Sequence, residues 1–119
     1  MSAAHLPIVL EEHSNLTFDF VYLDEDDNPI DVTNYGGTIV FAKDKESTPF
    51  AQGNTSDGWV NPVGTDGVIA VNVPYTAYQN LGIKEGWWEL YIYPTANDIT
   101  DRPKKLIKGP FTYEKSLLR

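Results

Sequence analysis

The chain has 119 residues, 41% of them hydrophobic, with seventeen acidic against nine basic side chains and a formal net charge of −8. That length suits one domain, 1–119, with one modest core. It excludes disulfides, thiolate metal sites and cysteine nucleophiles, because there are no cysteines, and no run approaches the ~20 apolar residues of a membrane helix.

The opening MSAAHLPIVLEEH lacks the basic start and the long apolar run of a signal peptide. Leu6 to Leu10 reads as an edge strand broken by Pro7, which has no N–H to donate to a ladder. Leu16 to Leu23 alternates with period two: Leu16, Phe18, Phe20 and Tyr22 share one face, Thr17, Asp19, Val21 and Leu23 the other. Asp24 to Pro29 is a polar turn, Ile30 to Thr33 a continuation of a hairpin, and Asn34 to Gly37 a second break. Thr38 to Lys43 is a strand. Residues 44–66 are rich in Ser, Thr, Gly, Asp and Asn and read as loops around one short strand near Trp59 and Val60. Val68 to Val73 is a strand with Ile69, Val71 and Val73 inward. Residues 74–81 begin with Pro, space Tyr75, Tyr78 and Leu81 evenly and end before Gly82, which predicts a short helical crossover. Trp87 to Tyr93 and Lys105 to Tyr113 are the last two strands. About seven short strands with turns at this spacing predict an all-β, antiparallel sandwich or a partly closed barrel.

The strand WWELYIY carries the most information. Trp88, Leu90 and Ile92 form an unbroken apolar face and point to the core. Trp87, Glu89, Tyr91 and Tyr93 then face away. Three aromatics on one outer face require an explanation, whereas a lone one does not. Three are open: a covering loop or N-terminal segment, a protein interface built on Trp87, Tyr91 and Tyr93, or a sugar-stacking platform.

The remaining chemistry is sparse. Asp24, Asp26 and Asn28 match the first half of a calcium loop, but Pro29 stands where Gly is needed and Tyr35 where the bidentate Glu belongs, so a solvated hairpin is expected and no metal site. Two histidines, His5 and His13, sit near the start. No metalloprotease, nucleophile-elbow or phosphate-loop motif is present, and the carboxylates lie in turns or on outer faces where nothing separates their pKa values. No enzyme activity and no cofactor are expected. Lys104, Lys105, Lys108 and Arg102 read as a solvated hairpin end. Residues 1–60 carry a net charge of −9 and residues 61–119 a net of +1, which disfavours nucleic acid and anionic membranes.

LTFDFVYLDEDDNPIDVTNY (Leu16 to Tyr35) resembles the opening hairpin of small immunoglobulin-like domains of tailed-phage virion proteins, such as the N-terminal domain of baseplate upper proteins and related tail- or fibre-associated domains. GVIAVNVPYTAYQNLGIKEGWWELYIY (Gly67 to Tyr93) is similar to that family's strand, short crossover, Gly and aromatic-acid-Leu strand, and LIKGPFTYEK (Leu106 to Lys115) to its last strand. Asp27-Asn28 stands where the family usually has Gly, and residues 44–66 match nothing in it. The resemblance implies an Ig-like sandwich that acts as a structural or assembly protein in a phage particle (tail, baseplate or fibre-associated). Its partners would be other virion proteins or itself, with carbohydrate as the weaker alternative. Its location would be the virion, and a chain ending at Arg119 would act alone as adaptor or decoration. The step from fold to role is analogy.

Overall fold

The computed structural model describes residues 3–117. Among them are β1 (Ala4–His5), β2 (Ile8–Glu11), β3 (Leu16–Val21), β4 (Gly36–Ala42), β5 (Ala51–Asn54), β6 (Val60–Val63), β7 (Val68–Val73), β8 (Glu85–Tyr93) and β9 (Lys104–Glu114). They form two sheets. The larger runs β1-β9-β8-β4-β5, with β2 further along the same edge of β9; the smaller runs β3-β7-β6. The fold is all-β and sandwich-like.

The alternation read from the sequence sets the core. Ile39, Phe41, Trp88, Leu90, Ile92 and Phe111 come from the large sheet, and Val60, Ile69, Val71 and Val73 face them from the small one; all are buried. Phe18 meets Trp88 edge-on at 5.9 Å between ring centroids, a favourable geometry for two quadrupoles. Leu16, Phe18, Phe20 and Tyr22 do pack against this core, and Thr17, Asp19 and Val21 are exposed.

Several expectations are corrected. The sheets are not wholly antiparallel: β1 and β2 run parallel to β9, with Ala4 opposite Ile107 and Ile8 opposite Phe111. Periodicity carries no information about strand direction, so the start of the chain pairing with its end was invisible. There are nine strands among the described residues rather than about seven. Residues 44–66 hold two strands, β5 and β6. Ile30 to Thr33 forms no strand; a single bridge between Leu23 and Pro29 closes the turn. The helical segment expected over 74–81 is one three-residue 3-10 turn, Tyr75–Ala77. It stops because Tyr78 leaves the helical region at φ −137°, buries its ring and donates its hydroxyl to the Ser14 carbonyl.

Two glycines are required by geometry. Gly67 holds φ +70°, and a Cβ there would lie 2.7 Å from the Tyr22 carbonyl oxygen. Gly109 lets the N-terminal segment approach: a Cβ there would collide with the Leu6 backbone. Leu6 is where Pro7 interrupts the edge. Its N–H donates to Lys108 O at 2.9 Å, and its carbonyl accepts the buried Trp88 indole N–H at 2.9 Å.

Candidate functional site: the outer face of the eighth strand

Each residue of β8 alternates sides, so Trp88 and Trp87 have opposite fates. Trp88 is fully buried, while Trp87 stays partly exposed on the outer face of the large sheet. Along that face run Trp87, Glu89 and Tyr91. Their cross-strand neighbours are Ala42, Val40 and Thr38 on β4 and Pro110, Lys108 and Lys105 on β9.

Glu89 ties the row together. Its Oε2 accepts the Trp87 indole N–H at 3.0 Å and the Lys105 ammonium at 3.0 Å; its Oε1 accepts the Tyr91 hydroxyl at 2.7 Å. Lys105 reaches Glu89 because it faces Tyr91 in register, one residue before a bulge in the β8–β9 ladder. Burial pushes the Glu89 carboxyl up, but the Tyr91, Trp87 and Lys105 donors together outweigh it and hold it below its ordinary 4.5. The Tyr91 hydroxyl is pushed up, first by burial and then by its bond to the Glu89 carboxylate. The Lys105 ammonium is raised, first by the Glu89 hydrogen bond, against the opposing effect of burial. Two cations also sit over the rings. Lys45 Nζ lies 4.5 Å from the Trp87 centroid, and Lys105 Nζ 5.6 Å from that of Tyr91. His5 flanks Trp87 at 6.3 Å between centroids. Both rings are therefore held in one orientation, and each remains partly exposed.

Tyr93 does not belong to this surface, although it shares the side of the strand. It is 2% exposed. Its ring lies over Gly36, where a Cβ would meet Tyr93 Cε2, and the turn at Ala96 closes over the same spot; Ala96 N–H donates to Asn34 O at 2.9 Å. The Tyr93 hydroxyl donates to Gly37 O at 3.1 Å and accepts from the Thr38 hydroxyl at 3.0 Å, since a phenol has one proton to give. Tyr93 is an internal brace. Of the three aromatics read from the sequence, the structure brings Trp87 and Tyr91 together and takes Tyr93 away. Sequence reasoning missed Glu89, Lys105 and Lys45 as parts of the site. Glu89 between two outward aromatics was the available signal; the two lysines reach it from other strands and loops.

The other candidates fall elsewhere. Asp24 Oδ1 accepts the N–H groups of Asp26 at 2.9 Å and Asn28 at 3.0 Å, so this carboxylate organises its own turn. Three of the four basic residues near β9 go to separate partners: Arg102 pairs with Asp101, Lys104 donates to the Tyr22 hydroxyl, and Lys105 serves Glu89; the fourth, Lys108, stands opposite Glu89 in the ladder.

Fold and site together define an all-β, two-sheet domain with a hydrogen-bonded aromatic–carboxylate row on one outer face. Comparison with protein-family models finds no match to this chain, and comparison with curated proteins finds none.

Proposed function

We propose that this chain is a non-enzymatic assembly protein, an Ig-like building block of a tailed-phage particle that works through protein–protein contacts on the outer face of β8. The observation that carries the reading is the Trp87–Glu89–Tyr91 row. Its rings are large, amphipathic and already fixed by Glu89, so docking on them costs little side-chain entropy. Trp and Tyr are the residues most enriched among binding hot spots. The resemblance of Leu16 to Tyr35 and Gly67 to Tyr93 to virion domains supplies the particle.

The glycan reading is weaker, because Lys45 already sits over Trp87, on a ring face that a sugar would use.

The test is amine cross-linking and mass spectrometry on particles produced from the genome that encodes the chain. Lys43 and Lys45 beside Trp87 should link to a structural protein or to a second copy. Absence of the chain from the particles, or links only from lysines remote from this face, contradicts the proposal.

A further inference from the structure

The small sheet turns one face to the core and leaves the other uncovered. On that outer face Val21, Val68 and Val63 stand in register across β3, β7 and β6. Val21 is 48% and Val63 53% exposed, and Leu23, 39% exposed, continues the line beyond the end of β3. Neighbouring strands lie ~4.8 Å apart, so these side chains form one apolar strip across the sheet, not scattered residues.

The charge that the small sheet and its own turns bring to the strip is of one sign; from β9 only Lys104, bonded to the Tyr22 hydroxyl, and Lys105, bonded to Glu89, come up to its Leu23 end. No Lys, Arg or His occurs between Ser14 and Ala42 or between Glu46 and Ile83, and those segments contain the whole small sheet and its turns. Asp19 lies one row down the same face, opposite Ala70. The turn Asp24 to Asp27 follows Leu23 directly, and Asp66 lies in the turn between Val63 and Val68. A second copy would bring the same acidic rim to the same strip and be repelled.

We infer that the outer face of the small sheet docks a different protein, one that presents an apolar centre rimmed by Lys or Arg. Val21, Val63 and Val68 give the contact its dry centre, while Asp19, Asp66 and the Asp24–Asp27 turn select the basic rim. This face lies on the opposite side of the molecule from Trp87 and Tyr91, so the chain bridges two partners. It extends the assembly reading but stands on separate residues: failure here leaves the β8 face untouched, and the reverse.

The experiment is a two-dimensional amide NMR titration of the full chain with three synthetic peptides of equal length, alternating Val–Lys, Val–Glu and Ser–Lys. The Val–Lys peptide shifts the amides of Val21, Val63 and Val68, and its binding weakens with added salt. The double variant Val21→Ser with Val63→Ser, at two half-exposed positions, keeps its dispersed spectrum and weakens binding by ~tenfold or more. Equal binding of the Ser–Lys or Val–Glu peptide overturns the inference. So do shifts confined to β8, the absence of shifts at the highest concentration reached, or a wild-type dimer that the double variant abolishes.

Discussion

Trp87 and Trp88 differ in nothing but the side of the strand on which they fall, and that decides their roles. The period of two made this legible from the sequence, as it did for Phe18, Ile69 and Val71. Tyr93 obeys the same parity and still ends up buried, because a glycine on the neighbouring strand leaves room beneath its ring and a loop closes above it. Alternation gives a side chain's direction; it says nothing of what covers it. Tyr93→Phe removes one buried donor and strands the Thr38 hydroxyl, while the Gly37 carbonyl keeps the Thr55 N–H. The expected cost is about 1–3 kcal/mol in chemical denaturation, with no loss of docking. Trp87→Ala behaves in the opposite way, since a partly exposed ring contributes little to stability: the thermal midpoint barely moves and the contact weakens. Glu89 links residue chemistry to pH. Its folded-state pKa lies below its ordinary value, so it contributes stability above the ordinary carboxylate pKa that is lost as pH falls through the depressed one. Lys105 has a raised pKa and contributes stability below the ordinary lysine value that is lost as pH rises through the folded one. Glu89→Gln therefore flattens the acid limb of a stability–pH curve; an unchanged acid limb would mean that the network exerts no net hold on the fold.

At the scale of elements, long alternating strands were readable and short ones were not. β5 is AQGN and β6 is VNPV. Neither has an apolar stripe of its own, and each forms because a longer neighbour, β4 or β7, offers a ladder edge. The parallel pairing of β1 and β2 with β9 is likewise a property of long-range contact, absent from any local window. Pro7 was correctly placed as the break between them, but its partner, Gly109, was not visible as such. The Leu6 backbone sits where a Cβ on Gly109 would be, and its carbonyl satisfies the buried Trp88 indole. Gly109→Ala should push this segment off β9 and cost about 1–3 kcal/mol through overpacking. Hydrogen exchange should then speed up at Leu6 and at the Trp88 indole while β3 and β7 stay protected. Uniform exchange across both sheets would show that the N-terminal edge is not a separable unit.

At the scale of the molecule, the two outer faces carry different chemistry. The large sheet and its loops hold all the lysines and the aromatic row; the small sheet holds the valine strip among carboxylates. The sequence showed the asymmetry as a strongly acidic first half, but the division follows the sheets rather than the halves, because β7 and β6 come from the middle of the chain while β4 joins the large sheet. Under the proposed assembly role, such a two-sided body would act as a spacer or adaptor. The most direct measurement is incorporation of wild-type and Trp87→Ala chains, co-expressed in equal amounts, into phage particles, read by quantitative mass spectrometry. The expected result is a variant as stable as wild type yet depleted from particles by ~tenfold or more. Equal incorporation of the two chains would contradict it.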